Sequence, residues 1–429
     1  MTIEPYFTTG QHNRFSEMAK GLLGSEILKI ASDIRAMVAK GQKIGNLTVG
    51  DFSPAEFRIP QFMEDAIRRH YAQGQTNYPP SDGMLELRNA IVGFYKTWLD
   101  VEYPVKSVLV ASGARPLIYS LFRAIVDPGD KVVYPVPTWN NNNFVQMLGA
   151  QGVPVHCHEE HAFLPTVDLL KPHLHDARLI CLNSPLNPSG TAFSRQELEA
   201  ICDMILEENK RRTTEDALYL MYDQVYWMLT FGKTEHFNPV HLRPEIAPYT
   251  VMVDAVSKAF AATGVRVGWC VGPPDIIERM SAILGHVGAW APRAEQMATA
   301  ELLNNKDEIV KYHSVMKVGV QDRLNALYEG LSAMAKDGLP IKTIVPMGAI
   351  YLSVQFNFLG RKKPDGTVFT NSEEIRQYLL FESQIGVVPF KAFGYQHDTG
   401  WFRLSVGAVS MKDIEEALPR LRRILEKLV

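Results

Sequence analysis

The sequence predicts an α/β fold built on a mainly parallel sheet, followed by a smaller α+β domain. Three observations predict it. From about Val108 to Val271, short apolar runs alternate with helical stretches. The polar residues suited to chemistry stand just after those runs, where the ligands of such sheets bind. Beyond Pro292 the alternation stops, and a long charged helical stretch leads into closely spaced strands. At 429 residues the chain exceeds the size at which one core keeps growing, so two domains are expected.

The elements follow in order. Residues 15–41 read as helix, because Ile27, Ile30, Ile34 and Val38 recur at helical spacing. A short strand from Ile44 to Val49 runs into Gly50. A helix over 60–73, the turn-rich stretch Thr76–Gly83 and a helix from Leu85 to Leu99 come next. Strands are expected at Val108–Val110, Lys131–Tyr134, Val153–Val155, Leu179–Leu182, Leu218–Met221, Tyr249–Val253 and Val267–Val271. Ser194 and Glu197 form a capping-box pattern that starts a helix. Asp254 to Ser257 read as a small-residue turn before Lys258. Residues 293–336 read as one long helix. Strands at Lys342–Val345, Ala349–Val354, Val387–Val388 and Phe402–Val406 and a helix over 411–428 complete the chain.

Composition narrows the function. A net charge of −3, with 46% hydrophobic and 21% charged residues, describes an ordinary globular protein and argues against nucleic-acid or membrane partners. The four cysteines form no CxxC pair, the first residues lack a signal-peptide plan, and no apolar run approaches the ~18 residues of a membrane span. These features predict a cytoplasmic protein with reduced cysteines. There is no GxGxxG, GxxxxGK[ST] or GxSxG. The cluster His156-Cys157-His158-Glu159-Glu160-His161 matches neither HExxH nor HxxEH, so it reads as a strand end and polar loop, with no metal expected.

Candidates for chemistry stand at strand ends. Lys258, among small apolar residues past a buried strand, is desolvated, which favours the neutral amine that attacks a carbonyl. Ser112-Gly113-Ala114 open a helix, whose free amides favour an anion. Asn187 lies in a proline-flanked loop, where a turn role is the simpler reading. Asp223 ends an apolar strand and needs a cationic or N–H partner. Trp139 could stack on a flat ring, although core packing is its commoner fate. Arg403 sits inside an apolar run, where a guanidinium calls for an anionic partner.

Together these residues carry a resemblance. The order Ser112-Gly113-Ala114, Trp139, Asn187 in NPSG, Asp223-Gln224-Val225-Tyr226, Ser257-Lys258, Arg266 and Arg403 resembles the class I/II aminotransferases, pyridoxal-phosphate enzymes of fold type I, from about residue 25 to the C-terminus. The resemblance implies a mixed, mainly parallel seven-stranded sheet in a large domain (56–305) and a small domain from residues 1–55 and 306–429. It implies pyridoxal 5'-phosphate as cofactor, with Lys258 forming its Schiff base and moving the Cα proton. Asp223 would pair with the ring nitrogen, Tyr226 and Asn187 with the ring oxygen, and Trp139 with the ring face. Ser112, Gly113, Ala114, Ser257 and Arg266 would hold the phosphate, helped by Tyr78 across a homodimer interface. Arg403, with backbone near Gly50, would bind the substrate carboxylate.

Departures from the family pattern are visible. Ala255 stands where a phosphate-contacting serine is common, and Phe390 where a glycine is usual. Asn140 to Asn143 have no family role. Arg115 occupies the position similar to a lysine that contacts a distal carboxylate in prokaryotic aspartate aminotransferases, which implies aspartate or glutamate as amino donor and a 2-keto acid as acceptor. A lyase or decarboxylase on the same fold shares Lys258, Asp223 and Arg403 and stays open as an alternative. A non-catalytic relative carrying a DNA-binding segment is disfavoured, because no basic cluster precedes the resemblance.

Overall fold

The structure is a computed structural model, and it describes residues 4, 14–22 and 26–428. The strands in chain order are β1 (Gly45–Asn46), β2 (Val108–Ala111), β3 (Lys131–Val136), β4 (Gln151–His156), β5 (Ala177–Asn183), β6 (Tyr219–Asp223), β7 (Thr250–Ala255), β8 (Gly268–Val271), β9 (Ile341–Thr343), β10 (Tyr351–Phe356), β11 (Ile385–Gly386), β12 (Val388–Pro389) and β13 (Trp401–Ser405). Seven of them form one sheet, in the order β2-β8-β7-β6-β5-β3-β4. β8 is antiparallel to both neighbours, and the rest of the sheet is parallel. The second sheet, β12-β13-β10-β9, is antiparallel, and β1 pairs with β11 alone.

The apolar runs become central strands because both faces of the large sheet are covered. Ile180, Leu182, Tyr222 and Met252 face one core, while Leu179, Cys181, Met221, Val251 and Val253 face another. Each such side chain contributes about 1.5–3 kcal/mol of burial. A third core, with Leu324, Leu352, Val354 and Phe402, joins the antiparallel sheet to the helix Lys306–Lys336. The parallel strands therefore cannot shift without exposing a core face. Their carboxyl ends bring Asn183, Asp223 and Ala255 to one edge.

Several expectations need correction. Residues 15–41 hold two helices, Glu17–Gly21 and Glu26–Ala39, with 23–25 outside the described residues. The strand expected from Ile44 to Val49 shrinks to β1, because the Asn46 carboxamide accepts the Thr48 amide and hydroxyl and turns the chain. Residues 293–336 divide into Arg293–Leu303 and Lys306–Lys336, where the Asn305 side chain caps the second helix through the Glu308 amide. Asp254 and Ala255 belong to β7, paired with Trp269 and Gly268. Asp254 stays in the strand because its carboxylate accepts Trp227 Nε1 (2.8 Å) and Tyr95 Oη (3.2 Å) in the core. The Ser194–Glu197 capping box is present. All four cysteines are free and buried. No helix among the described residues is long and apolar enough to cross a membrane.

Candidate active site

Lys258 sits on the short helix Val256–Ala259 that follows β7, one residue after the buried Ser257. Its Nζ donates to the Gly50 carbonyl at 2.5 Å. Burial lowers its pKa to about 8. The Asp51 carboxylate opposes the shift, while Arg403, Arg115 and Arg266 add to it. Asp223, at the end of β6, accepts the Val225 amide at 3.1 Å. Burial pushes its pKa up to about 6, against the pull of that amide and of Lys258. The Tyr226 hydroxyl lies 2.5 Å from the Tyr351 hydroxyl of β10.

The turn after β2 gathers a positive-φ glycine, an arginine and a helix N-terminus. Gly113 has φ +92°, and a Cβ there would run into Arg266 Nη2. Arg266 donates through Nη2 to the Ser112 carbonyl (3.0 Å) and through Nη1 to the Thr263 carbonyl (2.7 Å), which fixes the guanidinium beneath the turn. Ala114 starts the helix Ala114–Ile125, whose first amides have no intrahelical acceptor. Gly268 lies under the same turn, where a Cβ would fall 2.6 Å from the Gly113 carbonyl carbon and 2.8 Å from the Ala114 nitrogen. Ala255 pairs with Gly268 and packs its methyl into the core, so it offers the turn no hydroxyl.

Arg403, on β13, is 2% exposed. Its Nη1 donates to Asn187 Oδ1 (3.0 Å), its Nη2 to the Thr48 carbonyl (2.7 Å), and its Nε has no partner. Because a guanidinium only donates, the Asn187 atom facing it is the oxygen, which leaves the NH₂ of Asn187 as a donor to something else. The anionic partner expected for Arg403 is missing from the described residues. The guanidinium lies over the rings of both Tyr351 and Phe393, with Cζ 4.6 and 4.8 Å from their centroids. Arg115 lies with Cζ 5.0 Å from the Trp139 ring and likewise has no carboxylate partner among the described residues. Burial and nearby Arg266 lower its pKa.

The sequence pattern of the family described as aminotransferase class I and II matches residues 42–421. The chain belongs to the class I and II aminotransferases. It is 30% identical over 409 residues to the aspartate aminotransferase of Bacillus sp. (strain YM-2), covering 95% of this chain and 98% of that one. It is 28% identical to the aspartate aminotransferase of Bacillus subtilis (strain 168), covering 96% and 99%. The crystal structure of the Rhizobium meliloti aspartate aminotransferase superposes with a TM-score of 0.88 at 27% identity, covering 97% of this chain and all of that one. The Thermus thermophilus aspartate aminotransferase, solved with maleate, gives 0.85 at 26%, covering 96% and all of that chain.

This aminotransferase brings Lys258, Gly50, Asn187, Tyr226 and Arg403 into one hydrogen-bonded or stacked set, and Ser112, Gly113 and Arg266 into another. Tyr78 stands apart, 81% exposed and packed edge-on against Trp290. The Phe390 departure is a core residue, 4.9 Å from Phe163 and stacked on Trp401, while Phe393 is the ring that covers Arg403. Asn140 to Asn143 build the start of the helix Asn141–Leu148: Asn140 takes φ +66° and Asn143 bonds its side chain. Sequence reading missed Tyr351, Thr48 and Asp51. Tyr351 carries no signal inside an apolar strand, and Thr48 acts through its carbonyl alone. The His156–His161 stretch ends β4 and ties to the second sheet through Trp401 Nε1 donating to Glu159 (2.6 Å). Among the described residues no group of three or more metal-ligating side chains could hold an ion.

Proposed function

We propose that this aminotransferase binds pyridoxal 5'-phosphate at Lys258 and takes a dicarboxylic amino acid, aspartate or glutamate, as amino donor. One observation carries the reading. Three guanidiniums, Arg266, Arg403 and Arg115, lie near enough to lower the Lys258 pKa, and none has a carboxylate partner among the described residues. Phosphate, α-carboxylate and side-chain carboxylate are three anions that match three cations. The relative solved with maleate, a dicarboxylate, supports the same count.

The donor set fits the cofactor. The Gly113 cradle and Arg266 suit a phosphate, the orphaned Arg403 Nε suits a carboxylate, and Asp223 suits a protonated ring nitrogen. When bound, pyridoxal phosphate supplies a carbonyl carbon for amines and an electron sink for the Cα–H bond pair. Lys258, neutral in good part near pH 8, takes the Cα proton and returns it, since its short helix and Gly50 fix Nζ. Asp223, ionised above about pH 6, accepts the ring N–H and holds that proton in place. Tyr226 and the NH₂ of Asn187 would donate to the ring oxygen, and Trp139 would cover a ring face. Ser257 contributes at the phosphate end. Arg403 orients the α-carboxylate so that the Cα–H bond faces Lys258.

The division into a large domain (56–305) and a small one (1–55 with 306–429) is supported by the separation of the two larger sheets in sequence. A homodimer is supported by the exposed Tyr78, Leu85 and Val287, which would place Tyr78 at the partner's phosphate. The substrate reading is tested by steady-state assay of Arg115→Ala. We expect kcat/KM for aspartate to fall roughly a hundredfold, as when a charged hydrogen bond is lost, and to change little for an aliphatic amino acid. Equal losses for both would remove the distal-carboxylate role.

A further inference from the structure

Tyr351 reaches the site from the second sheet, while Tyr226 follows β6 of the first, and their hydroxyls meet at 2.5 Å. Both side chains are buried. Either hydroxyl can donate in this contact. Tyr351 also lies under Arg403, and its hydroxyl leaves no room at Gly50, where a Cβ would come within 2.9 Å of it. Gly50 is the residue whose carbonyl accepts Lys258. One side chain therefore touches the tyrosine, the guanidinium and the backbone that define the site. Among the described residues the contact with Tyr351 is the one side-chain hydrogen bond that Tyr226 makes, while Lys258 Nζ lies 5.8 Å from its ring centroid.

We propose that Tyr351 is a positioning residue of this active site, whose hydroxyl donates to Tyr226 and whose ring seats Arg403. The proposal rests on the pyridoxal-phosphate reading above. Tyr226 has one proton. If it donates to the cofactor's ring oxygen, the contact with Tyr351 survives only with Tyr351 as donor. A donor on the Tyr226 oxygen makes Tyr226 itself a stronger donor, since linked hydrogen bonds polarise one another. The ring oxygen is then better stabilised as an anion, and the Lys258-linked cofactor loses its proton at lower pH. Burial raises the pKa of both phenols, so both keep the protons this chain of donation needs. The second role is separate: the Tyr351 face attracts the guanidinium through its π system and fixes the plane in which Arg403 meets a carboxylate.

The test is a pH titration of the absorbance of the Lys258-linked cofactor in substrate-free holoenzyme, for wild type, Tyr351→Phe, Tyr226→Phe and the double variant. Tyr351→Phe should raise the midpoint by about half to one pH unit, the worth of one hydrogen bond. The double variant should match Tyr226→Phe alone, because Tyr351 acts on the ring oxygen only through Tyr226. An unchanged or lowered midpoint in Tyr351→Phe, or a further shift in the double variant, overturns the hydroxyl role. For the ring role, Tyr351→Phe should leave the KM for aspartate near wild type, while Tyr351→Leu should raise it about three- to tenfold. Equal KM values for the two variants overturn it. A wild-type protein with no titrating cofactor band would instead overturn the cofactor reading.

Discussion

Lys258 is a base made by its surroundings. Small neighbours bury it, and three guanidiniums disfavour its charge, so its pKa falls to about 8 while Asp51 limits the drop. The sign follows directly: the neutral, reactive amine dominates above about pH 8 and is lost as pH falls below it. Condensation of the apoprotein with pyridoxal phosphate should therefore slow about tenfold per unit below that midpoint. Asp51→Asn removes the carboxylate that raises the pKa, so stopped-flow profiles should show the midpoint moving to lower pH. A midpoint near that of a free lysine would contradict the burial argument. Lys258, Asp223 and Arg403 were legible in the sequence because a charge at the end of, or inside, an apolar run demands an explanation. Tyr351 was not, because a tyrosine in a strand is ordinary. Phe390 drew attention as an unusual residue, yet its role is packing, and Phe393 is the ring at the site.

At the scale of elements, the turn after β2, proposed to hold the phosphate, depends on what lies beneath it. β8 passes so close to the turn after β2 that only a glycine fits at position 268. Gly268→Ala must displace the Gly113–Ala114 peptide, at a cost of about 1–3 kcal/mol for overpacking. Gly268 is the first residue of β8, at the end of the sheet beside the turn, so circular dichroism should stay native while the pyridoxal phosphate Kd rises roughly ten- to a hundredfold. An unchanged Kd would show that the amides of this turn do not hold the phosphate. The alternation of apolar runs and helices revealed the parallel strands, since both sheet faces are buried and their sequences read as continuous apolar segments. Boundaries set by side chains were hidden. Asn305 breaks the long helix and Asn46 cuts β1 short, and both act through local capping bonds that apolar spacing does not record.

For the whole molecule, the site is assembled from the full length of the chain. Thr48 and Gly50 come from its first part, Asn187, Asp223 and Lys258 from the large sheet, and Tyr351 and Arg403 from the second sheet. Arg403 bridges them: it stands on β13, donates to Asn187 beyond β5, and donates to Thr48 after β1. Spacing in sequence could not reveal these contacts, which span 216 and 355 residues. Only the combined order of motifs pointed to one site. On the proposed function, Lys258 alone among the lysines of this chain bonds the cofactor carbonyl. It is tested by reducing the holoprotein with borohydride and locating the phosphopyridoxyl group by peptide mass spectrometry. We expect the label on Lys258 and no label in Lys258→Ala; a label on another lysine, or one retained in the variant, would contradict that assignment.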